Sequence, residues 1–420
     1  MLLRFGVRNF RSIRDTQELS LVASSLDDTA GGLIDCPAIG SCLLPAIVLY
    51  GANASGKTNV VRALRWMRQA VLQSQTRFDA NAGVPRERFA LAPSAETAET
   101  LCDLDFVLDS VRYHYGFTAS DEAFTREWLY AFPSGRRQVL FEREGKHFEF
   151  GRHLRGRNRV IADLTRPNSL FLSAARQNDH EELSRISNFF RSFRAEPARP
   201  SATYENIDPR AVAFLQDLAT GVVGFRRTKV DPAEDAVAFI QALFKLIAEQ
   251  GALSESELNR AADAMRNKRY KLELAHSGQS GQQTFLGFDD ESDGTQRLLL
   301  LLTPAFRALD EGALMVVDEL DASLHTRACE ALLALFALPK TNPKGAQLIA
   351  TTHDTNLLRS RYLRRDQVWF TEKDANGATH LYPLTDFRTR KGDNLERGYL
   401  QGRYGAIPFS GLAADILASV

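Results

Sequence analysis

Residues 51–58 read Gly-Ala-Asn-Ala-Ser-Gly-Lys-Thr, which is the most informative motif for the fold of the chain. It fits the pattern G-x-x-x-x-G-K-[ST], in which glycines let backbone amides turn inward around phosphate oxygens. Lys57 would supply a point charge to the outer phosphates, and the Thr58 hydroxyl can bind magnesium. An apolar strand pattern at residues 43–50 precedes the loop, and a helical pattern continues to about Gln75. This context favours a phosphate-binding loop over an ordinary Gly/Ser turn.

A second apolar strand pattern, residues 313–317, ends in the two acids Asp318 and Glu319. Carboxylates at the end of a buried strand are costly unless something uses them; the alternative is a strand that runs into an acidic loop. We expect Asp318 to hold magnesium through water and Glu319 to act as general base on an attacking water. A third apolar run, residues 348–352, ends in His353, which we expect beside the γ-phosphate rather than in a structural role.

Residues 291–297, Glu-Ser-Asp-Gly-Thr-Gln-Arg, open a leucine-rich helix, and amides at a helix start form an anion site. Alone, this segment is weak evidence. In chain order with the phosphate loop, the acid pair, the segment 320–325 and the histidine, it resembles the ABC ATPases, which carry Walker A, signature, Walker B, D-loop and H-loop in this order. The family signature LSGGQ is kept at Ser292, Gly294 and Gln296, and the two positions between them depart from it.

The opening residues 7–13, Val-Arg-Asn-Phe-Arg-Ser-Ile, resemble the first strand and loop of the SMC/RecF-like ABC ATPases. Within that group the chain is similar to the AAA15/AAA21-type ATPases, which include the OLD-type enzymes and the RloA- and AbiL-like ATPases of phage-defence operons. The resemblance covers residues 1–75 and 285–405, and the tail 390–409 is similar to that of RloA-like members. It implies that nucleotide contacts Gly51, Asn53, Ala54, Ser55, Gly56, Lys57, Thr58, Asn59, Arg11, Ser292, Gly294 and Gln296.

Two features depart from the family pattern. No glutamine occurs at residues 88–93, where the Q-loop glutamine is expected, so the second magnesium ligand is unassigned. No TOPRIM-type acidic domain follows the ATPase motifs, unlike in the OLD nucleases. We therefore expect no built-in nuclease.

The resemblance also implies how complete sites form. In the family, the signature of one head faces the phosphate loop of another, and this chain has one of each. We therefore expect a homodimer, or a higher even oligomer, that closes head to tail around ATP and Mg²⁺, with Ser292 and Gly294 contacting the γ-phosphate in trans. A further expected partner is a separate effector or toxin from a neighbouring gene. A DNA or phage component is a possible partner, and a membrane is not expected.

The fold class expected is α/β: an ABC ATPase head with a mixed or parallel phosphate-loop sheet, an antiparallel β subdomain and a helical insertion. Strand periodicity within 101–150 indicates the antiparallel part, and β/α alternation from 291 onward indicates the parallel sheet. The expected boundaries are 1–165 for the N-terminal lobe, 166–282 for the helical insertion or arm, and 283–420 for the C-terminal lobe. The candidate helices of the arm are Glu181–Phe193, Pro209–Thr220, Pro232–Gln250 and Ser254–Asn267. They show no sustained heptads, which favours a short arm over a coiled coil.

The composition gives only weak limits on the function of the protein. Lys plus Arg and Asp plus Glu both number 52, so net charge gives no global argument for nucleic acid, and any such contact needs a local patch. The four cysteines include no CxxC pair, which argues against a zinc site and fits a reducing cytoplasm. The opening residues do not resemble a signal peptide, and the apolar runs are too short to span a membrane.

Three functions compete at this stage. The first is an anti-phage ATPase that controls a separate effector, and the second is a RecF-like ATPase that acts on DNA in repair or chromosome maintenance. The third is an ATP-locked scaffold that scarcely hydrolyses, against which the intact Glu319 argues. The DNA hypothesis has a candidate patch, for which the alternative is a solvated loop, in Arg152, Arg155, Arg157 and Arg159.

Overall fold

The computed structural model describes residues 1–28, 32–92, 98–195, 207–230, 269–278 and 282–407. The chain forms two compact units. The first comprises Met1–Ala195 with Arg307–Val420, and the second comprises Glu196–Phe306. Two of the expected helices lie outside the described residues, Pro232–Gln250 and Ser254–Asn267. The last two residues of the tail segment 390–409 also lie outside them.

The first unit contains a mainly parallel sheet. Its strands are β5 (Ala46–Gly51), β11 (Arg194–Ala195), β15 (Leu314–Val317), β16 (Gln347–Thr351), β17 (Val368–Lys373) and β18 (Thr379–Pro383). They lie in the order β11-β15-β16-β5-β17-β18, and every neighbouring pair is parallel except the β17–β18 hairpin. All residues of β5 and β15 are buried, as apolar runs covered on both faces require. This order brings the carboxyl ends of β5, β15 and β16 to one edge of the sheet.

The first unit also contains an antiparallel sheet. Its strands are β1 (Leu2–Arg8), β2 (Gln17–Ser20), β6 (Thr100–Leu108), β7 (Val111–Ala119), β8 (Phe124–Phe132), β9 (Gln138–Glu144) and β10 (His147–Phe150). They lie in the order β10-β9-β8-β7-β6-β1-β2. A short hairpin of β3 (Ile34–Cys36) and β4 (Ser41–Leu43) is separate. The predicted antiparallel region is therefore confirmed, and β1, far away in sequence, pairs with β6 as part of it.

The α-helices of the described residues are α1 (Lys57–Gln73), α2 (Asn158–Leu164), α3 (Phe171–Gln177), α4 (Glu181–Ser192), α5 (Pro209–Asp217), α6 (Asp293–Glu311), α7 (Thr326–Ala337) and α8 (Leu395–Leu400). The apolar stripe of α1 is buried in a core shared with the antiparallel sheet, and Trp66 meets Phe117 with ring centroids 5.5 Å apart. On α8, Tyr399 packs against Tyr50 of β5 and Phe370 of β17, with ring centroids 5.8 and 5.4 Å apart. The tail thus lies against the strand that leads into the phosphate loop.

The second unit contains its own small sheet. Its strands β12 (Val222–Val230), β13 (Arg269–Ser277) and β14 (Gln283–Gly287) pair antiparallel in that order. The sequence predicts a helical insertion over 166–282, and the strand β12 within it differs from that prediction. Its β-branched and aromatic residues favour a strand, and Gly221 and Gly224 interrupt any helical pattern.

Candidate functional site

The phosphate loop follows β5 and turns directly into α1. Its backbone needs glycine where the chain has it, because Gly56 has a φ of 113° and a Cβ there would lie 2.1 Å from Thr379 Oγ1. Ala54 has a left-handed φ of 62°, and both Asn53 and Ala54 are exposed at the loop tip. The predicted loop is thus a tight turn that opens a seventeen-residue helix, and its geometry leaves backbone amides at the helix start to face an anion.

Lys57 lies buried at the first turn of α1. Its Nζ donates to the carbonyl oxygens of Gly51, at 2.8 Å, and Ala52, at 3.1 Å. Burial lowers the pKa of Lys57 to about 8, although nearby carboxylates, led by Asp318, act to raise it. The ammonium is therefore held across the loop by main-chain oxygens, in a place where a phosphate would be a stronger partner.

The acid pair meets the phosphate loop at the end of β15. Thr58 Oγ1 donates to Asp318 Oδ1 at 3.2 Å, so the two predicted magnesium ligands are adjacent although 260 residues separate them. A hydroxyl and a carboxylate are oxygen donors of the kind Mg²⁺ takes together with substrate phosphates. Among the described residues no group of three or more His, Cys, Asp or Glu side chains could hold a metal alone. The donor set therefore fits a magnesium ion that arrives with its nucleotide.

Glu319 has a left-handed backbone, with a φ of 53°. A non-glycine residue in this region costs about 1 kcal/mol or more, and such strain concentrates at functional sites. The conformation is held by the Glu319 N–H, which donates to Thr351 Oγ1 at 2.7 Å. The same hydroxyl donates to Asp318 Oδ1 at 2.7 Å, so one threonine of β16 contacts both acids.

His353 follows β16 and is exposed. Its backbone N–H donates to the Asp321 carboxylate at 3.1 Å, and the Thr352 hydroxyl donates to the same carboxylate at 2.7 Å. Partial burial, and then the positive charge of Lys57, lower the pKa of His353, while the carboxylates of Asp321, Glu319 and Asp318 oppose the shift. The lowered pKa favours the neutral imidazole, whose single N–H can donate a hydrogen bond. Asp321, in the predicted D-loop, was not singled out by the sequence analysis.

Three hydroxyl residues that the sequence analysis passed over tie the phosphate loop to distant strands. Ser55 Oγ lies 2.6 Å from Thr371 Oγ1, and Thr379 Oγ1 donates to the Ser55 carbonyl at 2.8 Å. Ser12 Oγ lies 2.7 Å from Thr379 Oγ1 and accepts from Asn59 Nδ2 at 2.6 Å. Only the position of Ser12 beside Arg11 in the predicted opening loop could have indicated this cluster.

Arg11 itself is not brought into this cluster. The Arg11 guanidinium pairs with the Glu87 carboxylate at 2.9 Å, and the backbone N–H of Arg11 donates to the Glu87 carbonyl at 2.7 Å. A contact of Arg11 with nucleotide remains a prediction.

The signature residues lie in the second unit. Thr295 N–H donates to Ser292 Oγ at 3.2 Å, so Ser292 caps the first turn of α6. Gln296 Nε2 donates to the Glu291 carbonyl at 3.0 Å, and His276 lies 2.6 Å from the Glu291 carboxylate. Ser292 is exposed and Gly294 is half-buried, so this capped helix start is open to solvent and can meet an anion.

Comparisons with known proteins agree with the motifs. The sequence model of one family, described as "AAA domain, putative AbiEii toxin, Type IV TA system", matches residues 46–359. No curated protein matches the chain. A solved structure titled "Crystal structure of the SmcHead bound to the C-winged helix domain of ScpA" is similar at 14% identity, over 90% of this chain and 96% of that chain, with a TM-score of 0.40. A likeness at this level adds no argument to the fold described above.

The motifs and the family match agree on a P-loop nucleotide-binding domain. No helix in the described ranges is both long and apolar enough to cross a membrane. The matched span includes the phosphate loop, the signature, the acid pair and His353, and it covers well over half of the 420 residues. The chain therefore belongs to the ATPase family described as "AAA domain, putative AbiEii toxin, Type IV TA system".

Proposed function

We propose that this protein hydrolyses ATP, with Glu319 as general base and Lys57 as a ligand of the outer phosphates. The observation that carries the proposal is the contact of Thr58 with Asp318 at 3.2 Å, which joins the phosphate loop to the strand end that bears Glu319. Thr58 and Asp318 would hold Mg²⁺, and the ion would neutralise phosphate charge. The imidazole of His353 would donate a hydrogen bond to the γ-phosphate.

We further propose that two chains close head to tail around ATP. The exposed, capped start of α6 at Ser292 supports this, because its hydroxyl and the amide of Gly294 are open to an anion. Each chain offers one phosphate loop and one such helix start. A symmetric dimer would therefore complete two sites, and hydrolysis would release the partners.

The role that fits best is the ATPase component of an anti-phage, abortive-infection system that controls a separate effector. Support comes from the resemblance of the tail to RloA-like ATPases and from the family description, which names a type IV toxin–antitoxin system. Co-expression with the neighbouring open reading frame tests the role. ATP-dependent co-purification and protection from phage are expected, and their absence would contradict it.

A second candidate function, action on DNA, is favoured by one exposed loop. Arg152, Arg155 and Arg157 lie in this loop and Arg159 in the first turn of α2, and all four are exposed. The loop has a fixed base, since Asn158 Nδ2 donates to the Leu154 carbonyl at 2.9 Å and Asn158 Oδ1 lies 2.8 Å from His180 Nε2. Salt-dependent DNA binding that weakens on replacement of these arginines by glutamine would support this function.

Replacement Glu319→Gln tests the chemistry. It removes the base and keeps the shape, so single-turnover hydrolysis should fall by about a thousandfold while ATP affinity stays within about twofold. Glu144→Gln, at an exposed carboxylate of β9, is the matched control and should hydrolyse normally. Hydrolysis at the wild-type rate by Glu319→Gln would contradict the assignment, and loss of ATP binding would make the residue structural.

A further inference from the structure

Thr351 is the last residue of β16, and it is fully buried. β16 lies between β15, which leads to the acid pair, and β5, which leads to the phosphate loop. The Thr351 side chain therefore occupies the centre of the edge where the predicted site assembles. The sequence predicts it only as part of the strand that precedes His353, with no role of its own.

The hydroxyl of Thr351 has a defined hydrogen-bond direction. A backbone N–H can only donate, so Thr351 Oγ1 accepts from Glu319 at 2.7 Å and its single proton goes to Asp318 Oδ1, also at 2.7 Å. Asp318 Oδ1 accepts from Thr58 Oγ1 as well, at 3.2 Å. One side chain thus fixes the orientation of the carboxylate of Asp318 and the backbone of Glu319 together.

We propose that Thr351 is a positioning residue for hydrolysis, which sets the magnesium-binding oxygen of Asp318 and holds Glu319 in its left-handed conformation. The proposal rests on the proposed function. Its two effects follow from two bonds of one hydroxyl. Without the bond to Asp318, the carboxylate can rotate away from the metal position. Without the bond to the Glu319 N–H, the strained backbone of Glu319, with a φ of 53°, loses one of its constraints. The carboxylate that acts as general base is then held less firmly.

A buried threonine that merely satisfies its own hydroxyl is the alternative, and it predicts a loss of stability without a change in chemistry. Thr118 of β7 provides the matched control for it. Its side chain is buried, and its hydroxyl lies 2.7 Å from that of Thr125 in the antiparallel sheet. The change from threonine to valine is the same at both positions, and of these two threonines Thr351 is the one that contacts the acid pair.

The test compares Thr351→Val, Thr351→Ser and Thr118→Val. For Thr351→Val we expect kcat to fall by roughly ten- to a hundredfold and the magnesium concentration for half-maximal rate to rise several-fold. ATP affinity measured in EDTA should change less than about twofold, since the phosphate loop is untouched. Thr351→Ser should recover most of both parameters because it keeps the hydroxyl. Thr118→Val should keep the wild-type kcat and magnesium dependence.

Two outcomes would overturn the proposal. One is a Thr351→Val enzyme with wild-type kcat and magnesium dependence, and the other is a Thr351→Val enzyme changed only in thermal stability. If Thr351→Val does not fold, Thr351→Ala removes the hydroxyl without adding a methyl group in its place, and the same readouts decide. Failure of the proposed function is distinguishable, because the unmodified protein would then hydrolyse no ATP.

Discussion

The two sheets of the first unit treat their charged residues in opposite ways. On one face of the antiparallel sheet, acids and bases are paired with one another: Arg4 contacts Asp103 and lies 3.1 Å from Asp105, which Arg112 reaches at 2.7 Å. At the edge of the parallel sheet, Lys57 donates to main-chain carbonyls, and Asp318 accepts from two threonine hydroxyls. The first arrangement is complete without a ligand, and the second concentrates charge where a ligand would enter.

Backbone topology causes this difference. Antiparallel neighbours place opposite charges face to face along the strands, where they pair locally. Parallel strands bring their carboxyl ends to one edge, so the acids that follow β15 and the phosphate loop that follows β5 meet there. Substitutions in the parallel sheet should therefore remove function with little loss of stability, and those in the antiparallel sheet should do the reverse.

The largest expected effect concerns the parallel sheet and its partner in trans. Ser292→Arg places a bulky cation where the γ-phosphate of the other chain should lie, and Lys57→Ala damages the phosphate loop. Each protein alone should lose more than about 95% of its ATPase activity, because both sites of each homodimer are incomplete. A mixture should regain part of the activity, since one site then combines an intact phosphate loop with an intact signature.

Steady-state ATPase assays on equimolar mixtures measure this, with native mass spectrometry to count mixed dimers. Neither mutant should gain activity when mixed with an inactive carrier protein. Mixed dimers that form and turn over no ATP would mean obligate coupling or a wrong trans geometry. A fully active Ser292→Arg homodimer would contradict the assignment of the signature to the nucleotide site.

The second prediction concerns the buried carboxylate of Glu127 in the antiparallel sheet. Glu127 of β8 is buried, accepts from the Tyr115 hydroxyl at 2.9 Å and the Phe171 N–H at 2.6 Å, and lies 3.7 Å from the Arg143 guanidinium. Burial raises the pKa of Glu127, and the charge of Arg143 opposes the shift. Glu127→Ala leaves buried donors without their acceptor, so the free energy of unfolding should fall by about 3 kcal/mol.

Urea denaturation measures this loss, and ATPase activity per folded molecule should remain. Glu144→Ala, at an exposed carboxylate of the neighbouring strand β9, should change the free energy of unfolding by less than about 0.5 kcal/mol. Loss of ATPase activity from folded Glu127→Ala would show that the two sheets do not divide stability and function in this way.

The smallest effect is a pH dependence of nucleotide binding. Burial lowers the pKa of Lys57 to about 8, so the free protein loses this charge as the pH rises through 8. ATP favours the charged form; binding should therefore take up a proton near pH 8, and affinity should fall several-fold between about pH 7 and pH 9. The pH dependence of stability has the opposite sign. Because the pKa of Lys57 is lower in the folded chain, the free energy of unfolding rises as the pH increases from about 8 toward the ordinary lysine value of 10.5.

Calorimetry in buffers of different ionisation enthalpy measures the proton uptake. Lys57→Arg stays charged throughout this range, so its affinity, although lower, should be flat with pH. A wild-type affinity that is equally flat would contradict the lowered pKa.

Sequence alone could predict those parts of the molecule whose physics is local. The phosphate loop is a single stretch of eight residues, and the acids directly follow an apolar strand, so the sequence predicts both the kind of each motif and its position. The meeting of Thr58 with Asp318 followed only from the expected parallel sheet. The contact of Ser12 with Thr379 could not be foreseen, because it joins residues 367 positions apart through two hydroxyls that no periodicity marks.

The position of β5 in the sheet sets the order in which the protein can become competent during synthesis. β5 (Ala46–Gly51) is made early, yet both of its neighbours, β16 (Gln347–Thr351) and β17 (Val368–Lys373), are made some 300 residues later. A nascent chain that has emerged only through the antiparallel sheet carries the phosphate-loop sequence without the strands that flank it. Such distant strand pairing closes late, since the entropy of a long loop must first be overcome. The proposed binding of nucleotide at the phosphate loop therefore requires a finished first unit, and such binding would report that translation and folding of this unit are complete.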